Sequence, residues 1–246
     1  GHRVIYLDSG ATAQIPQSVI DRVVEHMTQR NGNPHRGSHI LAIEASEDYE
    51  NARDRVVEFI NAREREEVVF TRNSTESMNL IAHSYGLHNV KKGDKIVITV
   101  AEHHANLVTW QYVAEQTGAT LEYMYLDEHG HLKDGEINKI DENTKIVAFA
   151  HVSNVLGMEF PVKELTEKAH SVGAVVVLDG AQSTPHKKID VQELDCDFFV
   201  FSGHKMCASQ GIGVLYGKRE LLEAMPPFLL GGDMIEYVKE QTATFN

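Results

Sequence analysis

Lys205 closes the run Phe198-Phe199-Val200-Phe201-Ser202-Gly203-His204-Lys205, and Asp179 closes the run Ala174-Val175-Val176-Val177-Leu178-Asp179. Short, aromatic or β-branched apolar runs bounded by small or polar residues fit buried strands of a parallel sheet better than helices. A lone lysine or aspartate at a strand end is ordinarily a solvated terminator. The two together describe a chemistry. An amine leaving an apolar wall beside His204 is desolvated and suited to Schiff-base formation. A carboxylate at a neighbouring strand end can hold a pyridine nitrogen protonated, which is the pair that pyridoxal 5'-phosphate requires.

Other polar groups fall at corresponding places. Ser74 and Thr75 open a helix directly after the strand Val68-Val69-Phe70, offering hydroxyls, free N–H groups and a positive dipole end to a phosphate; an ordinary N-cap is the competing reading. His103 follows the strand Lys95–Thr99, Asn154 follows Ile146–Ala150, and Gln182 lies just after Asp179. In an open parallel sheet the carboxyl ends of strands gather on one rim, so Ser74, Thr75, His103, Asn154, Asp179, Gln182, Ser202, His204 and Lys205 are expected to share one site. His103 could stack on an aromatic ring. The pair His103-His104 could instead suggest a metal, but adjacent residues of an extended segment point to opposite faces, and no metal site is assigned.

The elements that must carry these residues alternate. A strand-like run is expected at Val4–Asp8, then helices from Pro16 to about Arg30 and from about Leu41 to Asn61, the second with Ala45, Tyr49, Ala52, Val56 and Phe59 on its apolar stripe. A helix from about Thr75 to Tyr85, one ending near Gln116, strands at 121–125 and 213–216, and helices at 162–172 and 218–224 complete the pattern. Such alternation means an α/β fold, a three-layer arrangement with a mostly parallel sheet covered by helices. The expected organisation is an N-terminal segment over 1–20, a cofactor-binding large domain over 21–231 and a tail over 232–246.

The chain of 246 residues is 42% hydrophobic and 24% charged, enough for one sizeable core. Its formal net charge of -13, with no basic run longer than Lys91-Lys92 or Lys187-Lys188, argues against nucleic acid as a partner. No segment is long and apolar enough to span a bilayer, and Gly1-His2-Arg3 begins no secretory apolar core, so a soluble, cytoplasmic protein is expected. Cys196 and Cys207 lack the Cys-x-x-Cys spacing of a zinc site and are expected to be reduced, structural thiols. Gly211-Ile212-Gly213 precedes a strand and is no dinucleotide fingerprint. The acceptor pattern Asn73-Ser74-Thr75 carries no meaning without a secretory signal.

The segments Tyr6-Leu7-Asp8, His35-Arg36-Gly37, Glu102-His103-His104-Ala105-Asn106, His151-Val152-Ser153-Asn154-Val155-Leu156-Gly157, Asp179-Gly180-Ala181-Gln182 and Ser202-Gly203-His204-Lys205-Met206 closely resemble the SUF-type cysteine desulfurases. These are class V aminotransferase relatives of PLP fold type I. The resemblance implies a homodimer that converts L-cysteine to L-alanine and passes a persulfide to a sulfur-acceptor or scaffold protein of the SUF system for iron-sulfur cluster assembly. It makes Lys205 the Schiff-base lysine and Asp179 the partner of the pyridinium nitrogen. Gln182 would meet the phenolic oxygen, His103 would stack on the ring and help move protons, Asn154 would lie beside cofactor and substrate, and Thr75, Ser202 and His204 would hold the phosphate.

Two departures stand out. Asn73-Ser74-Thr75 replaces the usual Gly-Thr-Thr, and Ala208-Ser209-Gln210-Gly211 replaces the usual Gly-Pro-Thr-Gly, beside the cofactor and dimer contact. Family members are longer and carry the nucleophilic cysteine and the substrate-carboxylate arginine in a C-terminal small domain, for which this chain, as given to Asn246, shows no counterpart; weak or absent desulfuration is the expectation. A selenocysteine lyase, an aminotransferase or a catalytically inactive PLP-fold binding module would share the same cofactor residues.

Overall fold

Alternate residues of the apolar runs go to opposite faces of one sheet. In the computed structural model, which describes residues 2–245, Gly1 and Asn246 lie outside the described residues. Strands β1 (Val68–Thr71), β2 (Lys95–Thr99), β3 (Thr120–Met124), β4 (Thr144–Ala150), β5 (Val175–Asp179), β6 (Phe198–Ser202) and β7 (Gly213–Gly217) form a 7-stranded sheet ordered β1-β7-β6-β5-β4-β2-β3. Only β7 runs against its neighbours; β2 through β6 pair in parallel. Val147, Phe149, Val176, Leu178, Phe199 and Phe201 belong to one core, with Ile60 and Leu165 from helices α2 (Ile40–Ile60) and α6 (Val162–Ser171). Ile146, Ala148, Val177, Phe198 and Val200 belong to the other, with Met78 from α3 (Ser74–Leu80) and Trp110 and Val113 from α5 (Val108–Thr117). Burial on both faces explains why these strands read as unbroken apolar runs, and it gives the expected three-layer architecture.

The remaining helices are α1 (Gln17–Gln29), α4 (Leu87–Asn89), α7 (Val191–Leu194) and α8 (Arg219–Ala224). Several local expectations need correction. Val4–Asp8 forms no strand: Val4, Ile5 and Leu7 are exposed, and no neighbouring strand offers its ladder. The α-helix expected to reach Tyr85 gives way to a π-helix over Ile81–Gly86. On α2 the inward face runs through Ala42, Ala45 and Ile60, with Val56 and Val57 packed against the core, whereas Ala52 and Phe59 are exposed. Helix α1 forms as expected, but no residue of it is buried. The tail folds into a hairpin of β8 (Ile235–Val238) and β9 (Ala243–Phe245).

One glycine places the site. Gly213 begins β7 opposite Thr71 of β1 and Ser202 of β6, and a Cβ there would lie 2.6 Å from Asn73 Cα. Asn73 caps α3, its side chain accepting from Glu76 N–H. Gly213→Ala should force the start of β7 away from this cap, costing about 1–3 kcal/mol as overpacking does. A urea midpoint unchanged from the wild type would contradict that close approach.

Candidate active site

Each strand that ends on the rim contributes a different kind of group. β6 hands over to a 3-10 turn at Gly203–Lys205, which brings Ser202, His204 and Lys205 to the rim. β5 ends at Asp179, whose carboxylate accepts from Ala181 N–H at 3.0 Å. The chain can turn there because residue 180 is glycine: a Cβ on Gly180 would fall 2.0 Å from Cζ of Phe199 in the strand beside it. Ser74 begins α3, Asn154 lies in the loop after β4, and His103 leads the 3-10 turn His104–Asn106 after β2.

These residues line a single cavity of about 580 Å³. It brings together Ser74, Thr75, His103, Asn154, Asp179, Gln182, Ser202, His204 and Lys205, every position named from the sequence. Asp8, Gly10 and Ala11 line it as well, and the sequence reading assigned them no role in a site. Gly10 O accepts from Gln182 Nε2 at 2.8 Å. His204 O accepts from Ala13 N–H at 2.9 Å, and His204 Nδ1 lies 3.1 Å from Thr12 Oγ1. These contacts join residues far apart in the chain, and no local pattern signals them.

The electrostatics sort the groups by task. Burial raises the pKa of the Asp179 carboxyl, while the Ala181 N–H and the nearby His103 and Lys205 pull it down. Asp179 therefore sits in a dry place that rewards a positively charged partner. His103 Nδ1 accepts from Ala105 N–H at 3.1 Å, which leaves Nε2 to carry the ring proton of the neutral imidazole. Burial and the adjacent Lys205 lower the pKa of His204, so at neutral pH it serves as a neutral hydrogen-bonding group. Lys205 is half-buried.

Ser74 and Ser202 form a buried pair: Ser74 N–H donates to Ser202 Oγ at 2.8 Å, and the two hydroxyl oxygens are 2.7 Å apart. Asn73, and neither Ser74 nor Thr75, is the N-cap. Thr75 consequently keeps both its hydroxyl and the free N–H that a first helical turn leaves over. This donor set fits a phosphate at one end of the cavity. An amine, a buried carboxylate and an imidazole fit an aromatic aldehyde at the other, so the residues present match pyridoxal phosphate on their chemistry.

Neither cysteine is among the residues that line the cavity. Cys196 is buried, and burial pushes its thiol well above the usual range. Cys207 is exposed with a left-handed backbone, φ 69. Among the described residues, no group of three His, Cys, Asp or Glu side chains is arranged to hold a metal ion, and no helix is long and apolar enough to cross a membrane. A thiol reagent at mildly alkaline pH should modify Cys207 in the native protein and reach Cys196 only after denaturation. Fast reaction at both would contradict the burial of Cys196.

Comparison with known proteins agrees with this geometry. A sequence profile described as "Aminotransferase class-V" matches residues 5–246. A "Probable cysteine desulfurase" of Halalkalibacterium halodurans is 53% identical over 97% of this chain and 59% of its own length. A "Cysteine desulfurase" of Haloferax volcanii is 51% identical over 98% of this chain and 57% of its own. The apo structure of a cysteine desulfurase from Thermococcus onnurineus NA1 superposes with a TM-score of 0.94 at 42% identity, covering 99% of this chain and 60% of that one. The chain thus spans about three fifths of the length of the relatives it matches.

Proposed function

The chain belongs to the class V aminotransferase family, and from that premise we propose that it is the pyridoxal phosphate-binding part of a cysteine desulfurase that converts L-cysteine to L-alanine. The observation that carries this reading is the convergence of Lys205, Asp179, His103 and the Ser74–Ser202 pair on one cavity. Relatives named cysteine desulfurase, about half identical over nearly the whole chain, support it. The large domain over 21–231 and the tail leading to a further domain remain part of the proposal.

When bound, pyridoxal phosphate supplies an aldehyde and an electron-accepting ring that make the Cα–H of an amino acid acidic. Lys205 Nζ is the amine that would hold the aldehyde, and in this reading it takes and returns the proton on the substrate Cα. Asp179, buried in the cavity wall, would hold a proton on the ring nitrogen by its opposite charge; such a neighbour is typically worth one to three pKa units. The His103 imidazole, which lines the cavity, would stack on the ring, and its Nε2 is free to donate because Nδ1 is engaged. Gln182 and Asn154 offer amides to polar atoms of cofactor and substrate. Thr75, Ser202 and neutral His204 grip the phosphate without a full positive charge.

With Cys196 buried and Cys207 outside the cavity lining, the sulfur-attacking thiolate belongs, in this reading, to sequence beyond the span described. Transfer of the resulting persulfide to a SUF-type acceptor or scaffold protein for iron-sulfur cluster assembly, in the cytoplasm, completes the proposal. A homodimer is part of it too, supported by α1, which leaves Ile20, Val23, Val24 and Met27 exposed as one apolar stripe.

Incubation with pyridoxal phosphate and reduction with borohydride should leave a pyridoxyl group on Lys205, located by peptide mapping. L-Cysteine should then perturb the cofactor absorption of the unreduced protein, while persulfide stays at the level of a cofactor-only control. Attachment at Lys163 or Lys218 would defeat the site assignment. Persulfide release abolished by Cys207→Ala would move the nucleophile into this chain.

A further inference from the structure

His204 meets the segment that crosses the cavity with two different groups. Its carbonyl accepts from Ala13 N–H at 2.9 Å, and its Nδ1 lies 3.1 Å from the hydroxyl oxygen of Thr12, 192 positions away in the chain. The same hydroxyl is 3.2 Å from His204 O. Tyr6 secures Thr12 from the other side, its hydroxyl lying 2.6 Å from Thr12 O. Thr12 is half-buried and is not among the residues that line the cavity, whereas His204, Ser202 and Thr75 are. Among the described residues, no hydrogen bond within the protein engages His204 Nε2.

A hydroxyl has one proton to donate, and a neutral imidazole carries one proton on either of its nitrogens. The positions of the heavy atoms admit two arrangements. In the first, Nδ1–H donates to Thr12 Oγ1 and the hydroxyl proton goes to His204 O, which leaves a bare lone pair on Nε2. In the second, Thr12 Oγ1–H donates to Nδ1 and the ring proton sits on Nε2. His204 O stays satisfied in the second arrangement because Ala13 N–H still serves it. Phosphate oxygens only accept, so a lone pair on Nε2 repels them and an N–H holds them. The doubly protonated ring is opposed by burial and by the neighbouring Lys205.

We propose that Thr12 is a positioning residue for the phosphate: by donating its hydroxyl proton to Nδ1, it sets His204 in the tautomer whose Nε2–H is offered to the phosphate end of the cavity. Thr12 touches the histidine alone and acts through it. The proposal rests on the pyridoxal phosphate reading of the pocket.

Two variants separate the hydroxyl from the shape of the side chain. T12V keeps the branched form and removes the hydroxyl, and T12S keeps the hydroxyl. Both leave the other anchors of the segment in place, Ala13 N–H on His204 O and Gln182 Nε2 on Gly10 O. Titration followed by cofactor absorption should show T12V binding pyridoxal 5'-phosphate about tenfold more weakly than wild type, the scale of one lost hydrogen bond to a charged group. T12S should bind within about twofold of wild type on the same scale. Pyridoxal, which lacks the phosphate, should bind equally to all three. A segment loosened as a whole would weaken both ligands alike; that result would overturn the proposal, as would T12V binding the phosphate ester as tightly as wild type.

Nitrogen NMR of the His204 ring gives a reading that needs no change at Thr12. In wild type saturated with pyridoxal phosphate at neutral pH, the signals absent from H204Q should be those of a neutral ring protonated on Nε2 and accepting at Nδ1. A proton on Nδ1, or on both nitrogens, would overturn the role of Thr12 while leaving the pocket reading intact. A wild-type chain that takes up no pyridoxal phosphate would sink the pocket reading itself, and this inference with it.

Discussion

Parallel pairing of β5 with β6 sets Asp179 opposite Val200, so that both strands finish on the same rim. Gly180 N–H donates to Val200 O at 2.8 Å as the chain leaves β5, and the Phe199 ring fills the space where a side chain at 180 would stand. That close approach fixes the direction in which the chain departs and therefore where the Asp179 carboxylate points. On the other side β7 returns antiparallel to β6, pairing Gly213 with Ser202 and passing under Asn73. The carboxylate and the start of α3 are thus held by glycine contacts too tight for a Cβ, against the Phe199 ring and the Asn73 backbone, which is the kind of rigidity a preorganised site needs.

A second layer of support comes from hydrogen bonds that join polar groups in and behind the rim. Ser202 uses its hydroxyl to hold the Ser74 N–H. The hydrogen bonds from Trp110 to Asn106 and from Asn106 to the Glu102 carboxyl secure the turn before α5. Residues 10–13 strap across the opening through Gln182 and His204. Burying such groups is costly unless each finds a partner, so their satisfied geometry both orders the local backbone and penalises alternatives.

How much of this could be read beforehand depended on whether the determining physics was local. The apolar runs at 146–150, 175–178 and 198–201 declare buried strands because both faces of each are covered. The polar residues closing them share a rim because parallel strands align their carboxyl ends. Where a partner element decides, the local pattern misled. Val4–Asp8 is an apolar, β-prone run like a strand but has no neighbour to pair with, and α2 turns Ala42 and Ile60 inward while leaving Phe59 exposed.

The sequence by itself determined the order of elements, the two-faced sheet and the identity of the groups on its rim, since these follow from side-chain periodicity and strand polarity. Tertiary structure alone decided that β7 runs backwards, that Asn73 and not Ser74 caps α3, and that residues 10–13 cross the cavity. The β7 pairing and the crossing of residues 10–13 are contacts between residues distant in the chain, whose energy exists only once the fold brings them together, whereas the cap is a local bond from Glu76 N–H to Asn73 Oδ1 for which Asn73, Ser74 and Thr75 all compete in the sequence.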